Sequence, residues 1–317
     1  MKPSNSRKSK EQILFGLSKR KNPSLRGVAE EIGVSSSWLR KQIQRMRKEG
    51  IINSWQLILN PRSLQQQIFF FLLKTNPNEP NVITKLLKIS ELKTDSELST
   101  LEGITGDYSL IGRFHSPNAS KFLDSLDHLY ELVGKTGFQK FQLIEVIKAY
   151  KEHGLPCPEP SRFFKSQDEE HKKIQRIQKI GEGSEFPPSS YHIAEKLGVS
   201  QPAIYRQLKR WKDEKVILGY SLWTNFWQNN FLNTYVHVKA PLGKYRSAID
   251  YCLQNDQVIH IYRTNQEYSL LLKTRHSTLS ELNNLLKNLY QHAEVEDTLT
   301  RLVLEFYDIA GMTRSLK

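Results

Sequence analysis

The chain has 317 residues, 38% of them hydrophobic and 10% aromatic, with 46 Lys+Arg against 33 Asp+Glu and a net charge of +13. Such a composition excludes wholesale disorder and predicts two to four domains. Two cysteines exclude a disulfide-built scaffold and a Cys-based zinc finger. The longest apolar run, Ile68 to Leu73, is far short of a membrane span, and the polar, basic start has no signal core. The expectation is a cytoplasmic protein with no metal site, no cofactor and no membrane partner.

A first helix is predicted from about Lys10 to Ser18, with Ile13, Leu14 and Leu17 on one face. Ser24 is placed to cap a second helix carrying Val28, Ala29 and Ile32, which Gly33 ends. Ser35 or Ser36 then caps a third helix reaching about Glu49. Its inward face is Leu39, Ile43 and Met46, spaced by four and three residues. Its outward face carries Ser37, Trp38, Arg40, Lys41, Gln44, Arg45, Arg47 and Lys48. Gly50 closes this helix, and an extended segment runs from Ile51 to Asn60-Pro61.

The segment Gln67–Lys74 reads as a strand apolar on both faces, so both faces need cover. A helical pattern after Pro80, a strand near Leu98, a loop Gly103-Ile104-Thr105-Gly106-Asp107, a strand from Tyr108 to Phe114, a helix from Ser116 and a strand Phe138–Val146 follow. The order is βαββαβ, a ferredoxin-like arrangement. Three prolines between His153 and Ser161 predict an exposed, semi-extended linker.

Beyond that linker the chain repeats itself at a shift of 165 residues. Val28–Ser35 lies over Ile193–Ser200, and Leu39, Ile43 and Met46 lie over Ile204, Leu208 and Trp211. Tyr108-Ser109-Leu110 falls over Tyr268-Ser269-Leu270 after a five-residue gap. In the second copy Ser200 caps the helix, Pro202 fits its first turn, and Gln201, Tyr205, Arg206, Lys209 and Arg210 face outward. Strands Thr234–Lys239, Val258–Tyr262, Tyr268–Lys273 and Leu299–Phe306 and two helices repeat the βαββαβ order. The expected domains are 1–62 and 167–228, both winged helix-turn-helix, and 63–152 and 229–317, both ferredoxin-like, with 153–166 as linker. The ferredoxin-like sheets should pair face to face, within one chain as a pseudo-dimer or between chains as a homodimer. The fold class is α+β.

The charge follows the same division. Residues 1–60 carry +9, 61–160 carry −1, 161–220 carry +4 and 221–317 carry +1. Two separate basic modules suggest two contacts with a polyanion. The third helix of each would enter the major groove of double-stranded DNA. The candidate contacts are Ser36, Ser37, Trp38, Arg40, Lys41, Gln44 and Arg45 in one copy and Gln201, Tyr205, Arg206, Lys209 and Arg210 in the other.

The run Gly33-Val34-Ser35 through Leu39, Ile43, Arg45, Met46, Gly50 and Ile52, then βαββαβ with Gly106-Asp107-Tyr108, resembles the Lrp/AsnC transcription regulators. The resemblance implies an N-terminal DNA-binding domain and a C-terminal domain that dimerises and binds amino-acid-like effectors. It points to Gly103, Thr105, Gly106 and Asp107 as effector-binding residues. The second copy departs from it: Lys215 stands at the position of Gly50, and Gln266-Glu267 at that of Gly106-Asp107, so a pocket there is in doubt. The unlike sequences Ser36-Ser37-Trp38 and Gln201-Pro202-Ala203 predict unequal half-sites. Two rival functions follow from the same features. A sub-branch resembling this family decarboxylates sirohaem, which would need convergent His and Arg in the neutral domains. There His115, His128, His237, His260, His276 and His292 are scattered singly. The other rival is an architectural or RNA-binding protein, with Trp38 and Tyr205 stacking on bases.

Overall fold

Gly33 and Gly198 both lie in the left-handed region, at φ of 69° and 65°. A side chain there would meet the following carbonyl, so glycine lets each second helix stop and the third begin. The computed structural model describes residues 10–18, 25–79, 81–88, 96–134, 137–164, 168–181, 187–224 and 231–307. Ser24 and Pro80 lie outside them. The first copy gives helices α1 (Lys10–Ser18), α2 (Leu25–Ile32) and α3 (Ser36–Lys48) and strand β1 (Ile52–Leu59). It continues with β2 (Gln67–Thr75), α4 (Val82–Leu87), β3 (Glu97–Ile104), β4 (Leu110–Ser116), α5 (Ala119–Val133) and β5 (Phe138–Glu152). After β6 (Leu155–Pro156) the second copy repeats the series. It comprises α6 (Glu169–Gly181), α7 (Ser190–Leu197), α8 (Gln201–Asp213), β7 (Ile217–Thr224), β8 (Leu232–Lys239), α9 (Tyr245–Gln254), β9 (Val258–Thr264), β10 (Leu270–His276), α10 (Leu279–His292) and β11 (Asp297–Tyr307).

The chain folds into two units, each built from both copies. One comprises Met1–Leu64 with Lys151–Phe231, the other Gln65–Tyr150 with Leu232–Lys317.

In the helical unit β1 pairs antiparallel with β7, and Gln56 lies opposite Ser221. These two positions are equivalent under the 165-residue shift, so a local twofold axis passes between them. Helices exchange across it: α6 packs on β1 and α1 on β7. Gln178 of α6 donates to the Leu57 carbonyl at 3.2 Å. One apolar core results, with Leu39, Ile43, Met46 and Trp55 beside Ile204, Leu208, Trp211 and Ile174. Each copy supplies one described strand to the ribbon, and that strand's partner comes from the other copy. A single exposed strand would leave its N–H and C=O groups unpaired, and the equivalent strand satisfies them.

The expectation of an exposed linker is corrected. Leu155, Cys157 and Phe164 are buried. The buried Asn60 donates through Nδ2 to the carbonyls of Pro158 at 2.9 Å and Lys215 at 3.0 Å. The Phe164 N–H donates to the Ser63 carbonyl at 2.7 Å. The prolines prevent regular structure, but their neighbours are apolar and find core.

In the sheet unit the strands of each copy lie in the order β5-β2-β4-β3 and β11-β8-β10-β9. The two sheets join edge to edge, β3 to β11 and β9 to β5, so eight strands close into a ring without a free edge. One face of each sheet is covered by its own helices, with Phe69, Phe71, Leu98 and Phe114 against Phe122 and Leu129 in one copy. Val236, Val238, Ile261 and Leu270 against Ile249 and Leu285 form the other. The remaining face looks inward. There Phe70 lies 5.4 Å from Tyr262 and 6.3 Å from Tyr235, centroid to centroid. That second contact explains why β2 is apolar on both faces.

The inward face is also charged. Buried Glu102 accepts from Tyr235 Oη at 2.6 Å and pairs with Lys273. Arg113, Lys273, Arg275 and Arg301 stand on the same face, as the ladders Phe70↔Arg113, Tyr235↔Lys273, Asn233↔Arg275 and Tyr235↔Arg301 require. Burial lowers the pKa of Lys273 and Arg275, and Glu102 opposes the shift in both. Burial, and secondarily the Arg301 cation, push His237 down to about 3. On the helix-covered side burial pushes His276 down to about 4, opposed by Glu281.

Two expected outcomes follow. Lys215 occupies the left-handed region at φ of 60°, where its equivalent Gly50 sits at 70°. Lys215→Gly should therefore stabilise the helical unit by about 1 kcal/mol in chemical denaturation. The two histidines set the acid side of the sheet unit. Unfolded histidine takes up a proton near pH 6.5, whereas folded His237 and His276 do not until about 3 and 4. Stability should fall as pH drops from 6.5 toward those values, by about 1 kcal/mol per histidine between pH 7 and 5.5. Urea titrations of the parent and of His237→Phe would show it, and equal slopes with pH would refute the assignment.

Candidate nucleic-acid interface and effector cleft

Helix α3 starts at Ser35, whose hydroxyl accepts the Trp38 N–H at 3.2 Å. Burying Leu39, Ile43 and Met46 turns Ser37, Arg40, Lys41, Gln44 and Arg45 outward, all exposed. Ser36 is half-buried at the first turn, and Trp38 is half-buried with its ring against the helical core. Arg45 Nε donates to Glu49 at 2.8 Å, and Lys10 reaches the same carboxylate at 2.7 Å. These two cations hold the Glu49 carboxyl below its ordinary pKa.

Helix α8 starts at Ser200, with Pro202 in its first turn where no N–H is required. Ile204, Leu208 and Trp211 are buried, so Gln201, Tyr205, Arg206, Lys209 and Arg210 are exposed. Gln201 donates to the Ser190 hydroxyl at 3.0 Å, and Arg206 Nε to the Pro202 carbonyl at 3.4 Å. Arg210 is ion-paired to Glu170 of α6, which also holds Arg162. The outward faces of α3 and α8 thus present Lys41, Gln44, Tyr205 and Lys209 beside cations already tied to neighbouring carboxylates. The Arg210 tie was illegible in the sequence because Glu170 lies forty residues upstream.

In the sheet unit an open cleft of about 490 Å³ is lined by Lys74, Gly103, Gly106, Tyr108, Glu305 and Tyr307, among others. Of the expected effector residues it takes in Gly103 and Gly106. A Cβ on Gly103 would lie 3.1 Å from the Glu305 Cβ, so glycine there permits the close β3–β11 approach. Thr105 is engaged by β11: its N–H donates to the Leu302 carbonyl at 3.0 Å and its hydroxyl accepts the Leu302 N–H at 2.9 Å. Asp107 is exposed.

Behind Gly106 and Tyr108 lies Arg301. It is 5% exposed, and its Nε and Nη1 have no hydrogen-bond partner. Its guanidinium carbon is 5.7 Å from the centre of the Tyr108 ring. His237 shares this corner, 6% exposed, with Nε2 unpartnered and its ring edge-on to Tyr268. Sequence reading set His237 aside as one scattered histidine and missed Arg301. The available signal was the register: the ladders put Arg301 opposite Tyr235 and Ile144 opposite Phe70, so a charge stands where the other copy is apolar. Two histidines treated as scattered also find partners. His260 Nδ1 lies 2.9 Å from Tyr262 Oη, and His276 Nε2 lies 2.8 Å from Thr274 Oγ1. No described helix is long and apolar enough to cross a membrane.

No family model matches the chain. It is 26% identical over 130 residues to the HTH-type transcriptional regulator FL11 of Pyrococcus furiosus, covering 40% of this chain and 82% of that one. A second relative, an uncharacterised HTH-type transcriptional regulator of Pyrococcus abyssi, is 26% identical over 114 residues, covering 36% and 78%. Among solved structures, the siroheme decarboxylase NirDL aligns over 93% of this chain and 91% of its own, with a TM-score of 0.55 and 16% identity. That likeness extends the shared fold to nearly the whole chain. The regulators match about one copy's length, which fits two copies in succession. The chain is a tandem duplication similar in sequence, over about one copy, to HTH-type transcriptional regulators.

Proposed function

We propose that the protein is a sequence-specific, double-stranded DNA-binding transcription regulator that acts in the cytoplasm, on the nucleoid. In this reading the helical modules are winged helix-turn-helix domains sharing one ribbon, and the βαββαβ copies are ferredoxin-like effector domains. The observation that carries it is the local twofold between Gln56 and Ser221, which relates α3 to α8. Two helices so related, each turning a basic face outward, suit two inverted half-sites in successive major grooves. Lys41 and Lys209 would meet phosphates, while Ser37, Gln44, Gln201 and Tyr205 would reach base edges. Because those base-reading sets differ, the operator should be an imperfect palindrome. The cleft at Gly103 and Gly106 would take an amino-acid-like effector. The chain would work as an intramolecular pseudo-dimer.

A second reading, a siroheme-decarboxylase-like enzyme, is favoured by one observation. The inward face of the ring sets Arg113, Lys273, Arg275 and Arg301 beside the buried carboxylate Glu102, a cationic excess that suits a polyanionic ligand. The regulator relatives and the paired basic helices weigh more.

Selection from random duplexes at physiological salt tests the first reading. Enrichment of two unequal half-sites about one helical turn apart, or a multiple of it, is expected. Lys41→Ala and Lys209→Ala should each weaken binding to every sequence alike and lower the salt slope by about 1. Salt-sensitive binding without enrichment would indicate an architectural role. Absence of DNA binding, with a tetrapyrrole absorbance on the purified protein, would establish the enzyme reading instead.

A further inference from the structure

The two junctures that close the ring are equivalent, yet only one sets a buried arginine, Arg301, beside its loop. At the first, Thr105 bonds Leu302 through its N–H and its side chain. At the second, Asn265 bonds Glu145 in the same two ways: its N–H donates to the Glu145 carbonyl at 3.2 Å, and its Oδ1 accepts the Glu145 N–H at 3.1 Å. The next residue of each loop differs. Gln266 closes the second juncture, donating to the Leu143 carbonyl at 3.0 Å and accepting from Gln142 at 3.1 Å. Its equivalent Gly106 closes nothing: a Cβ there would come no nearer than 4.0 Å to Arg301. The strand residues differ in step. Where the second juncture has Ile144 and Leu72, the first has Arg301 and His237.

A guanidinium withdrawn from water with unfilled donors is costly to keep. Asp107 faces it from the loop but is exposed and makes no ion pair with it. His237 is close enough to feel the cation. The corner therefore lacks one negative charge, lies beside an open cleft, and is covered by a residue without a side chain. A single full charge matches a monoanion, and the half-buried Tyr268 ring offers flat surface for the rest of a small molecule.

We propose that Arg301 is the anion-receiving residue of one ligand site per chain, beneath Gly106, and that the anion is the carboxylate of a small amino-acid-like metabolite. This rests on the effector reading and gives it a charge, a residue and a stoichiometry. The second juncture, closed by Gln266, binds nothing.

The test is calorimetric titration of the full chain with the twenty L-amino acids, each beside its own carboxamide, which keeps the shape and loses the negative charge. The expected result is an acid that saturates at one equivalent per chain and an amide at least tenfold weaker. Arg301→Met should abolish the heat while the unliganded protein keeps or gains Tm, since it sheds an uncompensated buried charge. Arg301→Lys should retain part of the affinity, and Gln266→Ala all of it. Acid and amide binding alike, two equivalents per chain, or full affinity in both Arg301 variants would overturn the proposal and leave the effector reading standing. Silence from every acid and amide would overturn the effector reading and this proposal together.

Discussion

Strand edges carry backbone donors and acceptors that must be paired or covered, and in this chain each copy's edges are paired by the other copy. In the helical unit β1 meets β7. In the sheet unit β3 meets β11 and β5 meets β9. Neither copy could supply these partners alone, because a strand cannot be its own neighbour. The duplication therefore builds into one polypeptide a set of contacts that would otherwise require two. The local twofold between Gln56 and Ser221, the reciprocal seating of α1 and α6, and the closed ring all follow from that pairing.

Covalent duplication also frees the two halves to diverge. In a symmetric pair of identical chains, a buried arginine at one juncture would be matched at the other, and both would need a counter-charge. Here Arg301 and His237 stand at one juncture, Ile144 and Leu72 at the other. The loops diverge in step, Gly106 over the charge and Gln266 over the apolar pair. The reading helices diverge too: their inward faces keep the same apolar spacing while their first turns differ. Packing constrains the inward positions because the core is shared, whereas solvent-facing positions answer only to whatever they bind.

The charged faces of α3 and α8 are less free than their composition suggests. Arg45 and Arg210 are held by Glu49 and Glu170. Exposed ion pairs are worth little in stability, roughly 0–1 kcal/mol, so they orient these side chains at small energetic cost to a competing phosphate. Lys41 and Lys209, one on each helix, remain exposed on the outward faces.

The sequence by itself determined the elements, their order and their repetition. Periods of 3.6 and 2 residues, two Gly turns and a 165-residue self-match are local signals, and helix and strand formation are local responses to them. It also determined that Leu39, Ile43 and Met46 face inward, and that β2 needs cover on both sides. Tertiary structure alone decided which strand pairs with which. Pairing joins residues more than a hundred positions apart, and edge satisfaction does not distinguish a hairpin of one's own from the equivalent strand of the other copy. It decided that the proline-rich connection is packed: Leu155 and Cys157 are buried, and Phe164 lies in a core assembled from both copies. And it decided that Arg301, His237 and Gly106 share one corner, since only ring closure brings the loop of the first copy across the last strand of the second.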